Sequence, residues 1–141
     1  MVEQGAIWLI DDDTDDRETV SEIVDELALP YELVFLSGAK ETIDKLSSGK
    51  EAPFIILCDV NLPEMDGFEL REKMLQLPYR KFHSVPFIYW SGYASEKQIR
   101  RAYDLSAHGF FIKESSFADL KESFIHIIRY WQKSRKPEKE S

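Results

Sequence analysis

The chain has 141 residues, 43% of them hydrophobic, which suits one compact domain with a core that needs no covalent staples. A formal net charge of −8 and a pI near 4.9 argue against a nucleic-acid-binding surface, which would gather basic residues on one face. Arg80-Lys81 and Arg100-Arg101 are the candidates for a small basic patch, and at this acidity they read as solvated faces. Cys58 is the single cysteine, so no internal disulfide forms, and its apolar neighbours make it a small core residue. No stretch approaches the roughly 20 apolar residues of a membrane span, and Ala6–Ile10 is too short for a signal peptide. The expected compartment is the cytoplasm.

Five short apolar runs appear in chain order: Ala6–Ile10, Tyr31–Leu36, Phe54–Cys58, Val85–Trp90 and Gly109–Ile112. Four are almost continuously apolar, as strands covered on both faces are. Tyr31–Leu36 contains Glu32 and reads as an edge strand.

Between the runs the period changes to that of a helix. Val20, Ile23, Val24 and Leu27 mark a first helix; Ile43 and Leu46 mark a second, with Gly49 as its stop. Leu70, Met74 and Leu77 mark a third, ended by Pro78, and Ile99, Ala102 and Tyr103 a fourth. Phe117, Leu120, Phe124, Ile127, Ile128 and Trp131 form the stripe of a fifth, with Ser116 and Asp119 resembling a capping box at its start. Trp131 is expected to pack back on the domain. Strand followed by helix, five times over, predicts a doubly wound α/β domain with helices on both faces of a parallel sheet. It spans residues 1–132; the polar stretch 133–141 with Pro137 is expected to be a frayed tail.

In such a fold, ligand sites lie outside the carboxyl ends of the strands. Asp11, Asp12 and Asp13 follow the first strand, Asp59 and Asn61 the third, Ser91 and Gly92 the fourth, and Lys113 the fifth. One sheet edge therefore gathers carboxylates, a hydroxyl and an ammonium. Crowded carboxylates need a cation, and hard oxygen ligands suit Mg2+ better than Zn2+. Carboxylates are also competent nucleophiles toward phosphorus. The set is coherent for phosphoryl transfer to an aspartate. Taken alone, the acids of residues 11–16 read equally well as an acidic helix start, since acids favour the first turn. Asp66-Gly67 reads as a turn.

The sequence resembles the receiver domain of two-component response regulators from Ile7 to about Trp131. The marks are Ile10-Asp11-Asp12, the segment from Asp59 to Gly67, Ser91-Gly92, and Lys113 behind Gly109 and Phe110. The resemblance implies a five-stranded, flavodoxin-like sheet of order 2-1-3-4-5. It implies Asp59 as phospho-acceptor, Asp11, Asp12, Asp59 and the Asn61 carbonyl around Mg2+, Ser91 and Lys113 on phosphoryl oxygens, and Ser91 with Phe110 as a switch. It further implies a sensor histidine kinase or histidine phosphotransfer protein as donor and an unidentified target protein. The fourth helix, fifth strand and fifth helix would form the reporting face, through which two copies of the chain could also pair. The chain would be a stand-alone phospho-acceptor with slow autodephosphorylation rather than an enzyme, free of nucleic acid and membrane.

Departures are visible. Glu114 stands where the family usually has a proline, which favours a trans bond and a changed loop. Phe110 lacks a tyrosine hydroxyl, and Tyr93 is bulky at a position expected to slow attack by water. Dehalogenase-type phosphatases would need an acid where Asn61 stands, and no phosphate-binding glycine loop exists. The remaining rival is a receiver that no longer takes phosphate and serves as a docking module. His83, His108 and His126 show no ligand spacing, and the segment from Leu77 to Val85 reads as a loop.

Overall fold

The computed structural model describes residues 5–48, 51–79 and 82–137. Gly49, the expected helix stop, and the Arg80-Lys81 pair lie outside the described residues. Five strands, β1 (Ala6–Ile10), β2 (Glu32–Leu36), β3 (Ile55–Cys58), β4 (Phe87–Ser91) and β5 (Gly109–Ile112), alternate with five helices. The helices are α1 (Thr14–Glu26), α2 (Ala39–Ser47), α3 (Gly67–Gln76), α4 (Glu96–Asp104) and α5 (Phe117–Lys133). All strand pairs are parallel, in the order β2-β1-β3-β4-β5. The doubly wound reading and the strand order both hold.

The apolar runs are continuous because each central strand is buried on both sides. Trp8, Ile10, Ile56, Cys58, Phe87 and Tyr89 turn toward α2, α3 and α4. Ile7, Leu9, Ile55, Leu57, Ile88 and Trp90 turn toward α1 and α5. This is the period-two alternation of a strand with a core on each face. β2 lies at an edge, as expected, and begins at Glu32, so the glutamate opens the strand and does not lie inside it.

Several details differ from expectation, each for a local reason. β4 starts at Phe87 rather than Val85, because Pro86 has no N–H to give to a ladder. It runs on to include Ser91, paired in register with Ile112. Asp66-Gly67 is a helix start and not a free turn: Asp66 caps α3, and Glu69 bonds back to complete the box. Ser116 caps α5 through the Asp119 N–H at 3.1 Å. Only that half of the α5 box forms, consistent with aspartate being one methylene shorter than the Glu69 and Gln98 that close α3 and α4.

The α4 stripe is narrower than expected, since Ala102 is buried, Ile99 half-buried and Tyr103 exposed. In its place Arg71, buried in α3, donates to the carbonyls of Leu105 and Ser106 and stacks on Phe87, fastening the end of α4. Trp131 does pack back, half-buried against the β4–β5 side, with its ring centroid 5.6 Å from that of His108. Past α5, Lys136 reaches the Phe54 carbonyl at 2.8 Å. Phe82 and Val85 are buried, so the apolar part of the segment before β4 belongs to the core.

Candidate functional site

The sheet ladder continues one residue past three strands and delivers the key side chains. The Asp11 N–H donates to Leu36, the Asp59 N–H to Ile10, and the Lys113 N–H to Ser91, at 2.8–2.9 Å. Three residues far apart in sequence are thereby held by backbone bonds at one edge. Lys113 spans them: its Nζ lies 2.9 Å from Asp11 Oδ2, 2.9 Å from Asp59 Oδ2 and 2.6 Å from Asp16 Oδ2.

Each carboxylate is further oriented by local backbone. Asp11 Oδ1 accepts the Asp13 N–H at 2.9 Å, and Asp59 Oδ1 accepts the Asn61 N–H at 3.1 Å. The loop after Asp59 is closed by the Gly67 N–H on the Val60 carbonyl at 2.8 Å. A side chain at Gly67 would not fit, since a Cβ there would lie 2.5 Å from the Asp59 carbonyl oxygen. The buried Tyr89 hydroxyl donates to the Gly67 carbonyl at 3.1 Å and secures that loop from below. Glu64, in the same loop, has a φ of 68°, a left-handed conformation that non-glycine residues hold at a cost and that clusters at functional sites.

Burial pushes the Asp11 carboxyl up to about 6, against the Asp13 N–H and Lys113, which both favour the ionised form. Burial alone would pull the Lys113 ammonium down, but its bonds to Asp16, Asp59 and Asp11 outweigh this and hold it above its usual value. One ammonium among three carboxylates leaves a formal surplus of two negative charges. Oxygens of Asp11, Asp16 and Asp59 all lie within 4.8 Å of one another, and such hard donors fit a small divalent cation.

The structure brings together Asp11, Asp59 and Lys113 as expected and adds Asp16, which the sequence alone does not distinguish from the other acids at the start of α1. Asp12 is exposed and is not one of the three clustered carboxylates. Ser91 is fully buried, and its Oγ donates to the Tyr93 carbonyl at 3.0 Å. The Tyr93 ring itself is 75% exposed. Phe110 is half-buried, with its ring 5.7 Å from that of Tyr89. Asn61 is exposed at the mouth of the site. Glu114 is also exposed, no peptide bond is cis among the described residues, and Lys113 reaches its partners without the usual proline.

This arrangement, an aspartate at the end of the third strand with acids from the first and a lysine from the fifth, defines a class when set beside known proteins. The response regulator receiver domain profile matches residues 7–125, and the chain belongs to that family. It is 26% identical over 129 residues to "Probable methanogenesis regulatory protein FilR2" of Methanothrix harundinacea, covering 89% of this chain and 82% of that protein. The solved structure of a phosphorylated cyanobacterial phytochrome response regulator, RcpA, shares the fold with a TM-score of 0.86. Its identity is 23%, over 96% of this chain and 100% of that one. The Mn2+-bound form of response regulator Rcp1 gives a TM-score of 0.82 at 23% identity, over 95% and 99%.

Proposed function

We propose that the chain accepts a phosphoryl group on Asp59 from a histidine kinase or a histidine phosphotransfer protein. The observation that carries this reading is the single lysine shared by Asp59 and two further carboxylates at the end of the sheet. An Asp59 oxygen attacks phosphorus, the P–N bond to the donor imidazole breaks, and the imidazole leaves with a proton. Asn61 N–H and Lys113 hold the two Asp59 oxygens apart and aimed. Asp11, Asp16 and Asp59 are the groups that would hold Mg2+, and the family resemblance adds Asp12 and the Asn61 carbonyl to the set. When bound, the ion supplies positive charge to the carboxylates and to the incoming phosphoryl oxygens.

Lys113 then follows a phosphoryl oxygen. The Ser91 hydroxyl turns from the Tyr93 carbonyl to another, and Phe110 adjusts against Tyr89. The change is read by protein contacts at the α4–β5–α5 face. That face carries exposed Tyr103 on α4, Ile112 on β5, and Phe117 and Tyr130 on α5, chemistry suited to a target protein or a second copy. Slow loss of phosphate to water would reset it, so the chain is a phospho-acceptor and not a turnover enzyme. No helix of the described residues is long and apolar enough to cross a membrane. We place the chain in the cytoplasm, where kinases draw on ATP.

Mass spectrometry after treatment with acetyl phosphate and Mg2+ tests the reading. One added phosphoryl group that disappears in Asp59→Asn is the expected result. An unmodified wild type under the same conditions would leave a docking module in which the site no longer reacts.

A further inference from the structure

Asp16 sits three residues after the helix cap Asp13, the position whose side chain usually returns to the cap N–H. Glu69 does this in α3 and Gln98 in α4. In α1 the Asp13 N–H is already taken by Asp11 Oδ1, and aspartate is shorter than either Glu69 or Gln98. The Asp16 carboxylate is left to point at Lys113 instead, at 2.6 Å.

An ammonium has three N–H donors. Those of Lys113 are committed to Asp11, Asp16 and Asp59. Phosphorylation turns the Asp59 carboxylate into a neutral acyl group and frees one of these donors for a phosphoryl oxygen, while Asp11 and Asp16 remain as anions that draw the ammonium away from it. The three are unequal, with side-chain exposures of 0% for Asp11, 10% for Asp59 and 27% for Asp16. As the ammonium shifts toward the phosphoryl oxygen, a carboxylate released where water can reach it loses least, so Asp16 is the partner that gives way.

We propose that Asp16 is a positioning residue that competes with the phosphoryl group for Lys113, holding the empty site together and opposing its phosphorylated state. This rests on Asp59 being the acceptor. Two effects of opposite sign follow from replacing Asp16 by the neutral, similarly shaped asparagine. Phosphoryl-like anions gain a freed lysine, whereas a divalent cation loses a neighbouring carboxylate. A merely structural role would weaken both.

Beryllofluoride, a phosphoryl mimic, can be titrated at saturating Mg2+ into wild type, Asp16→Asn and Asp16→Glu. Trp90 fluorescence serves as the readout, because the Lys113 Nζ lies 5.2 Å from the Trp90 ring centroid. Mg2+ affinity is measured separately by calorimetry without beryllofluoride. Asp16→Asn should bind beryllofluoride roughly five- to tenfold more tightly and Mg2+ more weakly, while Asp16→Glu stays near wild type. Unchanged or weaker beryllofluoride binding in a folded Asp16→Asn protein overturns the proposal. If wild type takes up no beryllofluoride, the acceptor reading fails first and this one falls with it.

Discussion

Lys113 and Lys136 reach back from the C-terminal part of the chain to opposite ends of the same sheet. At the carboxyl end, Lys113 meets Asp11, Asp16 and Asp59. At the amino end, Lys136 meets the Phe54 carbonyl and lies 4.2 Å from the centroid of the Phe54 ring, which is stacked on Tyr31. Burial depresses the proton affinity of both. The carboxylates reverse that for Lys113, whereas Lys136 stays below its ordinary value. An ammonium on a carbonyl and a ring closes a seam, and an apolar side chain of similar length can substitute. An ammonium among carboxylates neutralises charge that remains behind when it is removed.

Removing Lys113 should therefore give the largest effect. In the presence of a chelator, Lys113→Ala is expected to lose about 3 kcal/mol of stability, measured by urea unfolding, with part of the loss restored by Mg2+. Equal midpoints for variant and wild type in chelator would show that the carboxylates tolerate one another without it.

The next effect concerns Asp11 and is seen through pH. Its folded value near 6 lies above the roughly 4 of an unfolded aspartate, so the fold prefers the protonated acid. The stability it contributes is full below about 4 and is lost as pH rises through 6. Asp11→Asn removes this dependence. Its stability relative to metal-free wild type should grow by about 2 kcal/mol between pH 4.5 and 7. A gap that does not change with pH would contradict the burial argument.

The smallest effect belongs to the other lysine. Lys136→Met should cost no more than about 1 kcal/mol and leave phosphoryl uptake on Asp59 unchanged. A slower uptake in that variant would mean that the two ends of the sheet are coupled.

Much of this was legible in the residues. Short continuous apolar runs alternating with helical periods mark the strands of a parallel sheet, and the residue after each run then falls at one edge, which located Asp11, Asp59 and Lys113. The run of β5 is apolar too, yet β5 lies at the sheet edge with Ile112 exposed. The Tyr103 and Phe117 positions misled because a helical period marks a stripe without marking how far its neighbours extend over it; both rings are exposed. Asp16 could not be separated from its acidic neighbours by sequence. An acid in a first helical turn is ordinary, and its diversion depends on the Asp13 N–H being occupied, a fact of three dimensions.

Cys58 lies one residue before the acceptor, fully buried, with its thiol directed at the Asp59 carbonyl. Burial, reinforced by the negative charges of Asp59 and Asp11, raises the thiol well above its ordinary value. Peroxide and alkylating agents attack the thiolate, so they have almost nothing to act on while the sheet is closed. The sulfur beside the nucleophile is thus shielded from oxidants in the folded chain. The same sulfur becomes available when the core around β3 opens, so the rate at which it is labelled reports that opening.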